Sequence, residues 1–600
     1  MKNALILLLL SWVIFAAWPD FIKPEEITPG RWGYGFTTFE NYAPQKFEIK
    51  VLGVEQWMFG LTANPVVMIK CYAGPKGYNM AYVGVASGMS GSPIYIYTKN
   101  GPKLIGALAY GNWFDRDPIA GIVLAQTMIE ECEKEIVSSN STQKIKSSTL
   151  LPIVFTGPFN FPEILKEEFA KRGLLINFSP RATSGSGAQI HKSKSVKLEP
   201  GSPIFAALTT GDIILGAHGT VTMVNEETGE FYGFGHPFLN TGQTSIPVSL
   251  SRVETVVSNY LSSYKIFEID GEIIGSLTRD FTYGVKGKLG LKPEMIPVSY
   301  KLTYQNNTLP INIQVVKIPD DWTEYLISML TAYVLYGGYY VYHLAKIDTI
   351  GYTAIKMTFQ IGDSSYVIPI IIDYNLKNVG EKYYDYCNNL YRVLKYLSLN
   401  KIKLESLNLE IEYQTGKINF LTLNQAILEQ PYIRPGDSVK ITLNFSKIND
   451  SSSVNYQTVY LLTIPPEADT GWIEIHIFSD DSLPELDEFI SDSQKLFISL
   501  NSLSNLFLFI QTECKLINND TIICVQEDSF RIENQIWHRK KIEKKLIKKM
   551  RIFIFKKIIP PEIIKTNKTL TLEIVSPDEY ARRKQEEKKK TKPRKKFWFF

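Results

Sequence analysis

Between residues 36 and 107, glycine and proline cut the chain into short runs rich in β-branched and aromatic residues. This punctuation constrains the fold more than any other feature. Runs at 46–54, 66–72, 94–97 and 104–107 read as strands. Residues 119–136 read as a strand running into a helix. Strand patterns resume from 204 to 304, and 349–374 and 404–478 alternate apolar and polar residues in the manner of a β-sandwich. Aromatic residues, 12% of the chain and mostly Tyr and Phe, agree with a mainly β protein. At 600 residues, the length calls for more than one core, because domains hold roughly 100–200 residues. No repeat of 20–50 residues is present, so a solenoid is not expected.

Two polar stretches interrupt the strands, at 138–148 and 181–195, with a short charged helix expected at 162–172 between them. Residues 320–345 hold a long apolar run broken by Gly337-Gly338 and ending in tyrosines and His343. A membrane span needs about 20 apolar residues. The glycines favour instead a buried helix running into a strand.

The start Met1-Lys2-Asn3 is followed by an apolar run from Ala4 to Trp18, interrupted by Ser11. A basic start, an apolar stretch and small residues Ala16-Ala17 describe a secretory signal. Phe15 stands where cleavage wants a small residue, so an uncleaved N-terminal anchor is the alternative. Either way the expected location is outside the cytoplasm, periplasmic or associated with the cell envelope. Five cysteines are too few for a disulfide scaffold. Cys514 and Cys524 flank the turn residues Asn518-Asn519-Asp520 and would face each other across a hairpin, as a disulfide or as two buried thiols. No Cys/His spacing resembles a zinc site.

The net charge of +4 averages two unlike regions. Residues 539–600 carry 22 Lys and Arg against 7 Asp and Glu, a net +15, so the rest of the chain carries −11. The tail interleaves its charges with Leu546, Met550, Ile552, Phe553 and Phe555, and ends in Phe597-Trp598-Phe599-Phe600. Basic residues with aromatics suit an anionic membrane surface. Nucleic acid leaves the same electrostatic footprint, but export makes it an unexpected partner.

The chemistry concentrates in Gly88-Met89-Ser90-Gly91-Ser92-Pro93, ahead of a strand. A serine in a glycine-flanked turn exposes its hydroxyl. The N–H groups of Gly88 and Ser90 can converge there as an oxyanion hole for acyl transfer.

This motif, with Leu104-Ile105-Gly106-Ala107 and Asp117-Pro118-Ile119-Ala120-Gly121, resembles the SpoIVB-type serine peptidases. Pro29-Gly30-Arg31-Trp32-Gly33-Tyr34-Gly35 resembles the segment leading into that family's serine half. A second block resembles its histidine half: Gly211-Asp212, Gly219-Thr220-Val221-Thr222, Gly233-Phe234-Gly235-His236-Pro237-Phe238, Gly284-Val285-Lys286-Gly287 and Met295-Ile296-Pro297-Val298. Together the blocks cover roughly residues 27–135 and 198–305.

The resemblance implies a trypsin-like double β-barrel that hydrolyses peptide bonds of a protein or peptide substrate. Ser90 would be the nucleophile and His236 the general base, with no metal and no organic cofactor. A serine hydroxyl needs a neutral imidazole to take its proton at ordinary pH. Three departures accompany the resemblance. Ser90 precedes His236 by 146 residues, the reverse of the family order, which implies a circular permutation. No carboxylate stands in Ala73-Gly74-Pro75-Lys76, where the family's acid would lie. Asp280 is then the preferred third member, with Asp117 and Asp212 as alternatives, and a Ser–His dyad or an inactive scaffold also fits. No segment has room for the family's PDZ domain ahead of the serine half.

One expectation is local. Val224 and Glu230 flank a hairpin turn, and an apex at Glu227 would pair residues whose numbers sum to 454. That places His218 opposite His236, where it would tune the base, share a metal with it, or merely top the strand.

The organisation expected is a signal or anchor (1–18), a serine-bearing barrel (19–137), a linker with a short helix (138–197) and a histidine-bearing barrel (198–320). A helix and β-sandwich domain (321–480), a small α+β region of helix and hairpin (481–538) and the basic tail (539–600) complete it.

Overall fold

A computed structural model describes residues 18–55, 64–111, 117–134, 151–178, 197–259, 263–343, 351–374, 379–399, 401–415, 420–448, 455–464, 470–478, 495–499, 513–518, 521–528, 549–556, 563–565 and 567–590. The expected signal (save Trp18), both polar linkers and the first basic cluster up to residue 548 lie outside these. The chain divides into two compact units. The first holds residues 1–301, 309–341 and 405–407; the second holds the remainder.

The first unit is mainly β, and its centre is two closed six-stranded barrels. Strands β1 (Trp32–Thr37), β2 (Gln45–Glu55), β3 (Val66–Cys71), β4 (Pro93–Thr98), β5 (Gly101–Gly111) and β6 (Ile119–Leu124) close in the order β1-β2-β3-β6-β5-β4. Alternation drives this. In β2, Phe47, Ile49 and Val51 point inward while Lys46 and Glu48 face solvent. Ile69, Ile94, Ile96 and Ile122 meet them from the other strands, and each such side chain contributes about 1.5–3 kcal/mol on burial. Helix Ala125–Lys134 follows β6 directly, as the pattern over 119–136 requires.

Strand β7 (Leu151–Thr156), helix Glu163–Lys171 and the parallel strand β8 (Leu174–Phe178) form a β-α-β unit. The sequence reading placed only the helix here. The second barrel comprises β9 (Pro203–Gly211), β10 (Ile214–Val224), β11 (Glu230–Gly233), β12 (Gly242–Val257), β13 (Tyr264–Phe281) and β14 (Gly284–Leu289). They run β9-β12-β13-β14-β11-β10, and β10 pairs back onto β9 to close the circle. β7 adds to β10 beyond the barrel.

Residues Trp322–His343 form one continuous helix, not a helix running into a strand. Gly337 does not break it, because the glycine is there for contact. A Cβ on Gly337 would lie 2.1 Å from the ring of Phe159. Tyr333, on the same helix, donates to the Phe159 carbonyl at 2.7 Å and accepts from the Phe159 N–H at 2.7 Å. The apolar run therefore belongs to a packed protein face. Among the described residues no helix is long and apolar enough to cross a membrane.

The second unit contains the hairpin Gly351–Ile361 with Ser364–Tyr374, helix Val379–Leu399, two four-stranded sheets and a three-stranded sheet. The turn at Pro435-Gly436-Asp437 leads into Ser438–Ile448 as the sequence suggests, with Gly436 at φ +85°. Strands Glu513–Asn518 and Thr521–Asp528 pair so that Cys514 stands opposite Cys524. In the tail, Asn567–Ile574 joins a sheet and Pro577–Lys590 is a helix. Its Arg583 pairs with Glu573 and Glu579, and Lys584 with Glu587.

Candidate active site

The segment from Gly88 to Gly91 lies in the seam between the two barrels. Its carbonyls are fixed by the second barrel. Thr220 on β10 donates its N–H to the Ser90 carbonyl at 2.7 Å and its hydroxyl to the Gly88 carbonyl at 2.9 Å. The Thr222 hydroxyl donates to the Gly91 carbonyl at 2.7 Å. From the first barrel, Leu108 on β5 accepts the Gly91 N–H at 2.7 Å and donates its own N–H to Ser92. The motif's second serine is buried, with its hydroxyl on the Met89 carbonyl at 2.6 Å.

Sequence explains why this loop is glycine-flanked. Gly88 and Gly91 have φ of +94° and +95°, where an L side chain is strained. Space forbids one as well, since a Cβ on Gly91 would lie 1.9 Å from the Thr220 carbonyl oxygen. With three carbonyls turned toward β10, the N–H groups of Gly88 and Ser90 have no hydrogen-bond partner among the described residues. Gly88 is buried, and buried backbone N–H groups are rarely left unpaired. The Ser90 hydroxyl, half-buried, likewise has no partner among the described residues. Two unengaged N–H groups beside an unengaged hydroxyl form an arrangement suited to receiving a polarised carbonyl.

The histidine loop follows β11. Phe234 has φ +65°, a strained value for a bulky residue. Its ring fills the space over Gly219, where a Cβ would lie 2.1 Å from it. The Phe234 N–H bonds the Thr220 carbonyl at 3.2 Å. Thr220 thus touches both the serine loop and a residue two positions before His236. His236 is half-buried. Its Nδ1 lies 2.9 Å from the Pro237 carbonyl oxygen. A carbonyl has no proton to give, so Nδ1 carries the hydrogen and Nε2 keeps its lone pair. Burial lowers the affinity of this ring for a second proton, against the Pro237 contact, which raises it. The imidazole is therefore neutral at ordinary pH.

Asp280 does not bond to His236. It is fully buried and accepts the N–H groups of Phe238 at 2.7 Å, Leu239 at 2.6 Å and Thr241 at 3.3 Å. Burial pushes its carboxyl up to about 6, opposed by these N–H groups and that of Asn240. Asp280 fixes the backbone just after the histidine; a third-member role against the ring is corrected to support of the loop. The alternatives also lie elsewhere. Asp117 pairs with Lys70 at 2.7 Å, and Asp212 accepts the Asn312 N–H at 2.7 Å.

The expected pairing of His218 with His236 does not form. The 454 sum holds at Val221↔Gly233, but a bulge shifts the register to Met223↔Tyr232, and β11 ends at Gly233. The turn at Phe234 then takes His236 off the ladder. His218 instead pairs with Phe205 of β9, places Nδ1 3.1 Å from the Ser251 hydroxyl, and stacks on Phe267 with ring centroids 3.6 Å apart. Its Nε2 is buried without a partner among the described residues, and burial holds the ring well below the usual histidine range, with the charge of Lys265 adding to this. Among the described residues no cluster of three or more His, Cys, Asp or Glu could hold a metal ion.

Sequence reasoning placed Thr220, Thr222 and Pro237 within the resembling blocks without giving them a role, and it missed Lys265. Lys265, on β13, is buried, donates to the Thr37 hydroxyl at 2.7 Å, and runs beside Gly88.

No family model matches the chain, and neither a curated protein nor a solved structure matches it.

Proposed function

We propose that this chain is an exported serine endopeptidase of the SpoIVB type, built on a circularly permuted, trypsin-like pair of barrels and followed by a β-sandwich and a small α+β region. The observation that carries this reading is the serine loop, whose Gly88 and Ser90 N–H groups and Ser90 hydroxyl are unengaged among the described residues. In the reaction, Ser90 Oγ attacks the peptide carbonyl carbon while its proton passes to His236 Nε2. The oxygen that becomes an anion is received by the two N–H groups. On collapse, His236 returns the proton to the leaving amine, and the acyl-enzyme remains. Water, deprotonated by the same nitrogen, then releases the acid. Pro237 does for the ring tautomer what a carboxylate does in a triad, and Asp280 holds the following backbone. These steps call on serine, imidazole and amides alone. The basic tail's contact with anionic lipid belongs to the same proposal.

A fluorophosphonate probe tests the reading. It is expected to label the folded protein at Ser90, and Ser90→Ala is expected to abolish the label. His236→Ala should slow labelling by several orders of magnitude. Folded protein that stays unlabelled would defeat the proposal. A second reading, a protease-like scaffold without turnover, is favoured by one observation: among the described residues no carboxylate bonds His236.

A further inference from the structure

Lys265 is an anomaly of placement. The residue is 5% exposed, and among the described residues its side-chain nitrogen has one hydrogen-bond partner, the buried hydroxyl of Thr37 at the end of β1. It forms no ion pair among the described residues. A buried lysine without a carboxylate is costly to keep charged.

What surrounds it is the seam. The backbone N–H of Lys265 donates to the Ser87 carbonyl at 3.2 Å, and the Ser87 N–H donates to the Ser263 carbonyl at 2.8 Å. Residue 87 is thereby bridged in parallel to Tyr264. The stem of the same lysine lies beside Gly88, with Cδ 3.4 Å from where a Cβ would stand. One residue of the second barrel therefore touches the end of β1, the backbone of Ser87 and the flank of Gly88. We propose that Lys265 is a positioning residue for the Gly88 limb of the serine loop. The inference rests on the reading of that limb as an oxyanion hole.

Burial lowers the lysine to about 7. Other groups facing it are few. β10 presents His218, which burial and Lys265 itself keep neutral. β1 presents the Thr37 hydroxyl, and the 86–88 segment presents the Ser87 carbonyl to the lysine's backbone and Gly88 to its stem. Below about 7 the folded protein must hold an ammonium against one hydroxyl in the seam. The unfolded chain binds its proton up to about 10.4. Between those values the unfolded state carries more protons, so stability rises with pH.

Two readouts, neither needing turnover, test this on the full chain. Thermal midpoints between pH 6 and 9 should rise with pH above 7 in the wild type. Lys265→Met, which keeps the stem and removes the amine, should lose that rise. Hydrogen exchange of the peptide spanning 85–89, corrected for intrinsic rate, should be faster at pH 6 than at pH 8 in the wild type only. Parallel midpoint profiles in both proteins would overturn the inference. So would a midpoint difference with unchanged exchange at 85–89, which would make the lysine structural without a positioning role. If Lys265→Met does not fold, Thr37→Val serves: loss of the hydroxyl should move the onset of the rise below pH 7, and an unmoved onset would overturn the assignment. Failure of fluorophosphonate labelling would remove the peptidase reading and leave both readouts intact.

Discussion

Asp280 and His236 are neighbours in role without touching. Three N–H groups converge on the carboxylate, so Asp280→Ala strands buried donors in the loop after the histidine. Such donors cost about 1–3 kcal/mol each. Loss of several kcal/mol is expected in a urea titration, with a fall in any Ser90 labelling. His218 supplies a pH prediction. Its folded-state proton affinity is depressed by burial, against an unfolded value near 6.5. Below about 6.5 the unfolded chain takes a proton that the folded ring refuses, so stability falls as pH falls. His218→Asn, which can still reach Ser251, should flatten that acid limb in a series of thermal midpoints. Of the site, the serine loop and the histidine were legible because glycines bracket them. Lys265 was hidden by its own strand. It stands between Tyr264 and Ile266, a pattern in which the lysine should face water, yet Tyr264 is exposed and Lys265 buried. Which face of a strand is inner is fixed by a partner barrel that the local alternation cannot see.

At the scale of elements, the first barrel followed its alternation closely. Strands β2, β3 and β4 begin and end within a residue of the expected runs, and β5 extends further on both sides. The histidine hairpin departed from expectation because one bulge cancels a counting rule, and bulges leave no reliable mark in sequence. Residues 320–345 misled differently. Glycines in an apolar run suggest an interruption, whereas Gly337 is where the Phe159 ring seats. Gly337→Ala should therefore destabilise the first unit by about 1–3 kcal/mol through overpacking, seen as a lower denaturation midpoint. Tyr333→Phe, which removes two bonds to Phe159 while keeping the ring, should cost a similar amount.

Across the first unit, the two barrels share an apolar seam. Leu104, Ala107, Ala109 and Val123 of the first barrel and Met128 and Cys132 of the helix after it meet Met223, Tyr232 and Phe281 of the second. Residues 18–134 made alone would expose that face. Such a fragment is expected to bind a hydrophobic dye and self-associate, while a fragment of 18–341 stays monodisperse on size exclusion. The sequence suggested two related halves, and the closed barrels agree with that. The mutual dependence of the halves could not be read from either one, because the groups that fix the serine loop are the ordinary-looking hydroxyls of Thr220 and Thr222.

Those two hydroxyls also impose an order in time. Synthesis runs from the N-terminus at roughly 5–20 residues per second. Ser90 is made well before Thr220 and Thr222, which give its loop its shape. For on the order of ten seconds the nascent chain holds a first barrel whose serine loop is unformed. A protein with these halves in the opposite order would complete its loop as the serine emerged. Here the serine loop waits for its scaffold, so a growing chain cannot present the finished Gly88–Gly91 turn before the second barrel is in place.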